Sequence, residues 1–113
     1  MRNMSFSKTT EQIRNRTKTV TRRYGWSYLK PGDFVCAVEK CMGLKKGEKC
    51  KPLDVIRIVS NRPDNLANIT QEECRREGFP DRSPEWLRDL LRSMCPQDQL
   101  TENPNRIEFT YVD

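Results

Sequence analysis

The segment RIEFTYV, Arg106 to Val112, does more than any other to limit the folds open to this chain. Ile107, Phe109 and Tyr111 fall on one face and Glu108 and Thr110 on the other, the alternation of a half-buried β-strand. A strand must pair its backbone N–H and C=O groups with neighbours, and the other strand-like runs lie far upstream. LDVIRIVS, Leu53 to Ser60, is rich in Val and Ile. FVCAV, Phe34 to Val38, follows a Pro31-Gly32-Asp33 turn. TKTVTRR, Thr17 to Arg23, is β-branched and also reads as a strand. Two helix signals separate these runs from the last strand. ITQEECRREGF pairs Thr70 with Glu73 as a capping box and stops at Gly78. SPEWLRDLLRSM opens on Ser83 and Pro84 and carries Trp86, Leu87, Leu90, Leu91 and Met94 as one apolar stripe, which reads as core packing. A shorter helix near 9–16 starts at Thr9, with Gln12 three residues on.

The order is α-β-β-β-α-α-β, with strands near 19–23, 34–39, 53–60 and 106–112 and helices near 9–16, 70–77 and 84–94. Strands so distant in sequence must share one sheet. The expectation is therefore an α+β domain built on a small, mostly antiparallel β-barrel with flanking helices. The 113 residues suit a single domain spanning 1–113. Lysine and arginine outnumber the acidic residues 21 to 16, and the net charge of +5 favours an anionic partner such as a nucleotide or RNA. No run has the length of a membrane span and no signal-peptide pattern opens the chain, so a cytoplasmic location is expected, with no membrane partner.

The five cysteines, Cys36, Cys41, Cys50, Cys74 and Cys95, contain no C-x-x-C pair, and there is no histidine. Free thiols are expected, with no metal site and no cofactor.

The stretch RTKTVTRR, Arg16 to Arg23, with LKPGD behind it and RIEF in the last strand, resembles the ASCH domain, a PUA-like family of small β-barrels. The family motif is Gly-x-Lys-x-x-Glu-x-Arg. Lys18 and Arg23 match it, while Arg16 stands at the glycine and Thr21 at the glutamate. The Lys-Thr-x-Thr-x-Arg form is similar to a branch of the family that acts as N4-acetylcytidine amidohydrolase, and MGLKKGEK adds a likeness to its phage and prophage members. The resemblance implies a catalytic set of Lys18, Thr21 and a later glutamate. Glu77 is the better match and Glu73 the second.

Amide hydrolysis needs an activated nucleophile. With no histidine, Lys18 is the base for the Thr21 hydroxyl, provided burial or a cationic neighbour such as Arg22 or Arg23 brings its pKa toward neutrality. Glu77 then carries a proton to the leaving amine or reads the cytosine edge. The two side chains converge only if Lys18 precedes the strand, because residues three apart on a strand face opposite sides. Arg23, Arg22, Trp26 and Tyr24 are the substrate-binding candidates, by bidentate contact or base stacking. Arg16, Lys45, Lys46 and Lys49 are the nucleic-acid-binding candidates. Cys74, one turn from Glu77, reads as a structural thiol. The competing function is an RNA- or nucleic-acid-binding module without catalysis. A metal-assisted nuclease is a third option, without a carboxylate cluster to support it.

Overall fold

The longest strand, rich in β-branched residues, organises the sheet. The computed structural model describes residues 1–40, 46, 47 and 49–113. Its elements are β1 (Arg2–Ser5), α1 (Thr10–Arg14), β2 (Val20–Arg23), β3 (Phe34–Val38), β4 (Pro52–Pro63), α2 (Gln71–Arg76), α3 (Pro84–Met94) and β5 (Asn105–Tyr111). Short 3-10 turns cover Leu66–Asn68 and Gln97–Gln99.

β4 pairs antiparallel with β3 on one side and β5 on the other, and β5 pairs antiparallel with β2. The strand order is β1-β3-β4-β5-β2. A register shift between Ile58 and Ser60 marks a bulge in the β4–β5 ladder, a device that bends a sheet. The result is a five-stranded half-barrel, mixed because β1 runs parallel to β3. The α+β, PUA-like class expected from sequence is the fold observed.

Two details differ from expectation. β1 is an additional strand. RNMS has no alternation and few β-formers, and it is a strand because it lies along β3, with Met4 as its buried residue. α1 is shorter than 9–16, and the expected capping box is not made. Thr9 precedes the helix without a side-chain cap, and the Gln12 amide donates instead to the Gly78 carbonyl at 3.0 Å. The other two helices start as their sequences predict: Thr70 accepts from Glu73 N–H at 3.2 Å and Ser83 from Trp86 N–H at 3.1 Å.

The apolar side chains form two clusters. Met4, Phe6, Ile13, Val35, Ile56 and Phe109 are among those filling the half-barrel. Leu66, Ile69, Cys74, Leu87 and Leu91 form a second cluster, against which Phe79, Trp86 and Leu90 pack. Among the described residues, no helix is long and apolar enough to cross a membrane.

Candidate functional site

Two helix ends meet beside β2, and both close with the same turn. α1 ends with Arg16 N–H on the Ile13 carbonyl and Thr17 N–H on the Gln12 carbonyl. α2 ends with Gly78 N–H on the Arg75 carbonyl and Phe79 N–H on the Cys74 carbonyl. These are Schellman turns, which need a left-handed residue just past the helix. Gly78 supplies it at φ +96°, and Arg16 supplies it at φ +60°. The position at which the resembling family has glycine is thus a left-handed one, and here an arginine adopts it. Arg16 is held there by Asp54, at 3.0 Å, and by Asp113, and its guanidinium lies over the Tyr111 ring. Its charge is answered in this structure by carboxylates of its own chain.

The α1 turn delivers Lys18 into the interior before β2 begins, which is the placement that convergence with Thr21 requires. Tyr111 Oη donates to the Lys18 carbonyl at 2.6 Å, and Thr19 N–H donates to the Arg76 carbonyl at 2.8 Å. Lys18 Nζ donates to the main-chain carbonyl of Glu77 at 2.6 Å, capping the C-terminus of α2, where a cation is favoured.

Lys18, Thr21, Arg22, Arg23 and Glu77 all line one cavity of about 140 Å³. Its remaining walls are Ser5 to Thr9 on one side and Phe79, Leu87, Leu90, Leu91 and Met94 on the other. It lies where the half-barrel core meets the helical cluster, since Phe6 belongs to the first and Leu87 and Leu91 to the second. The α3 stripe, expected to be core packing alone, is also a wall of this cavity.

Lys18 and Thr21 are each 3% exposed. Burial brings the Lys18 pKa down to about 7, against the pull of Glu77 and with help from Arg23 and Arg22. The Lys18 ammonium stands 5.7 Å from the Phe79 ring centre. Thr21 Oγ1 accepts from Arg23 Nε at 3.0 Å, so a cation points at the hydroxyl oxygen and leaves its proton free to be given away. Arg23 also donates to the Ser5 carbonyl at 2.6 Å and lies over the Phe6 ring. Burial lowers its pKa to about 10. Among the described residues, Arg23 has no carboxylate within salt-bridge distance.

Arg22 behaves differently. Its side chain is wholly buried and spans Glu77 (2.8 Å), Glu73 (2.8 Å) and Asp64 (2.9 Å). Arg22 N–H also reaches Glu77 Oε1 at 3.1 Å, so both oxygens of that carboxylate are oriented by one residue. The network continues through Arg106 to Glu73 and Glu108, Arg76 to Glu108, and Arg62 to Asp64. Four arginines thus balance four carboxylates. The Arg106 fork brings the Glu73 pKa down to about 2, against the effect of burial. Arg22 therefore orients Glu77 rather than facing open space. Sequence reading did not anticipate Asp64 and Arg106 in this network, nor Ser7 and Lys8 at the cavity. Each becomes a neighbour only through the fold, and no local motif announces it.

Trp26 and Tyr24 do not line the cavity. Trp26 packs on the barrel core and stacks with Tyr28 at 5.7 Å. Burial beside Cys95 raises the Tyr24 pKa to about 12. Lys46 and Lys49 are exposed and also lie outside the cavity, and Lys45 is outside the described residues. Cys74 is buried in the helical cluster, and burial raises its pKa, as a structural thiol requires. Among the described residues, no three His, Cys, Asp or Glu side chains are grouped to hold a metal ion.

No protein-family model matches the chain and no curated protein matches its sequence. Solved structures do match its shape. An ASCH domain from Lactobacillus crispatus JV V101 is 16% identical with a TM-score of 0.65, over 96% of this chain and 77% of that one. A DUF984 protein from Enterococcus faecalis V583 is 15% identical with a TM-score of 0.67, over 95% of this chain and 68% of that one. The hypothetical protein PH0355 is 15% identical with a TM-score of 0.67, over 97% and 95% of the two chains. The half-barrel with its helices at one seam is thus the fold of an ASCH domain.

Proposed function

We propose that the chain is an amidohydrolase, of the phage type within the N4-acetylcytidine branch, that removes the acyl group from an N4-acylated cytidine nucleoside or nucleotide. The observation that carries this reading is a buried lysine with a pKa near neutrality in the same cavity as a threonine hydroxyl. A lysine whose burial lowers its pKa to about 7 can be unprotonated near neutral pH, the condition a general base needs. In the reading, Lys18 takes the Thr21 proton and Oγ1 attacks the acyl carbonyl carbon. The donated hydrogen bond from Arg23 favours the alkoxide. As the C–N4 bond breaks, Lys18 returns the proton to the leaving amine, and the Glu77 carboxylate that Arg22 orients faces the cytosine edge. Water then hydrolyses the threonyl ester, with Lys18 again as base. The cavity volume also suits this class: a void of about 150 Å³ takes up benzene, so a pyrimidine ring fits and a whole nucleotide does not. The sugar would remain outside, toward Lys8.

The test is incubation with N4-acetylcytidine, following cytidine release. Thr21→Ala and Lys18→Ala should each lose nearly all activity, Thr21→Ser should keep a part, and the double variant should lose no more than either single one. Absence of cytidine with the wild-type protein between pH 6 and 9 would leave the second reading, a nucleic-acid-binding module. That reading is favoured by the net charge and the exposed Lys46, Lys49 and Lys51. It requires RNA affinity that falls steeply with salt and is lost when Lys45, Lys46 and Lys49 are replaced by Glu.

A further inference from the structure

The charge around the cavity does not balance. Behind it, the arginine–carboxylate network is neutral in itself, and Glu77 is committed to Arg22. Facing into it are Lys18 and Arg23, with Lys8 at the rim. Arg23 meets the Thr21 hydroxyl and the Ser5 carbonyl, and Lys18 the Glu77 carbonyl, all neutral acceptors. The Phe6 and Phe79 rings add cation–π contacts, which offset little of what desolvating two cations costs. A guanidinium and an amine that meet only neutral acceptors in a partly apolar cavity suit an anionic ligand. The wall opposite the cations is aliphatic, and Met94 stays 46% exposed at its end.

We propose that this cavity is a seat for a small aliphatic monocarboxylate, its carboxylate held by Arg23 and Lys18 and its chain laid against Leu90, Leu91 and Met94. Guanidinium and carboxylate match in planar geometry, and an ammonium adds the second point charge. The aliphatic wall of Leu90, Leu91 and Met94 favours an anion with an apolar tail over an inorganic one. The inference stands on the cavity alone. Under the hydrolase reading, the ligand is the acid that the reaction releases.

Carboxylate binding must also draw a proton onto Lys18. The groups that face Lys18 are Glu77 at the end of α2, Arg22 and Arg23 on β2, and Lys8 before α1, while α3 presents apolar side chains to the cavity. A bound carboxylate adds a negative charge to this set and raises the Lys18 pKa. Affinity should therefore fall as pH rises above about 7, by up to tenfold per pH unit until the shifted pKa is reached.

The experiment is calorimetric titration of the full chain with sodium butyrate, sodium acetate and butyramide, at constant ionic strength, at pH 6 and pH 9. Butyrate should bind, with about a fourfold advantage over acetate for each added methylene. Butyramide should not register. Between pH 7 and 9, titrations in buffers of different ionisation enthalpy should reveal proton uptake. Arg23→Gln should lose butyrate binding, and Lys18→Met should weaken it and remove its pH dependence. Butyramide binding as tightly as butyrate would overturn the proposal, as would pH-independent affinity in the wild-type protein. If circular dichroism shows that Arg23→Gln does not fold, the wild-type acid–amide comparison still decides. Butyrate binding without N4-acetylcytidine hydrolysis would sink the hydrolase reading alone, and hydrolysis without carboxylate binding would sink this inference alone.

Discussion

Lys18 has the most to lose from its position. In the unfolded chain it titrates at its ordinary value of 10.5, and in the folded protein at about 7. Between those values the unfolded state holds a proton that the folded state has released, so stability rises with pH across that window. Below about 7 the folded protein carries the buried charge in full. Lys18→Met should therefore be more stable than wild type at pH 6, by on the order of a few kcal/mol, with the gap closing toward pH 10.5; urea denaturation at a series of pH values measures this. A hydrolase using this base should show kcat/KM rising through pH 7 to a plateau, and the same variant should be inactive. Arg16 offers a second test. Its left-handed backbone disfavours any side chain with a Cβ, so Arg16→Gly should melt a few degrees above Arg16→Ala, although both lose the Asp54 and Asp113 contacts. Lys18, Thr21 and Arg23 were legible because a compact motif carries them. The part played by Arg22 was not, since its three carboxylates come from segments around 64 and 73–77.

At the level of elements, the capped helices were the most legible. Thr70 and Ser83 act on N–H groups within their own first turns, so the code is local. β1 was illegible because its strand character is borrowed from β3. The end of α2 is where local chemistry and site geometry coincide. A Cβ on Gly78 would sit 3.0 Å from Gln12 Cγ and 3.2 Å from Gln12 Cβ, at a φ of +96°. Gly78→Ala should cost about 1–3 kcal/mol, combining left-handed strain with displacement of α1. Because Glu77 adjoins it and holds Lys18, any hydrolase activity in the variant should fall by more than its melting temperature alone would suggest.

For the molecule as a whole, the buried network is the part most exposed to acid. Glu73 titrates near 2, so its stabilisation is complete above the ordinary carboxylate range and lost as pH falls through about 2. Acid unfolding should therefore fall mainly between pH 4.5 and 2. Removing the hub is the sharper perturbation: Arg22→Met leaves Glu73 to Arg106 and Asp64 to Arg62 but strands the buried Glu77, and should cost about 3–5 kcal/mol in urea denaturation at pH 7. That is a large fraction of the roughly 5–15 kcal/mol typical of a domain. The strand order has a further consequence, for synthesis on the ribosome. Both sheet edges, β1 and β2, are made first, yet β1 waits for β3 and β2 waits for β5, the last strand of the sheet. Arg23 reaches from one edge to the Ser5 carbonyl on the other, across the gap where the half-barrel stays open. A nascent chain that has not yet released β5 can hold the helices and the middle of the sheet, but β2, which carries Thr21 and Arg23, is still unpaired. Butyrate binding at this cavity would therefore require β5, and ribosome-stalled chains arrested before residue 105 should show none.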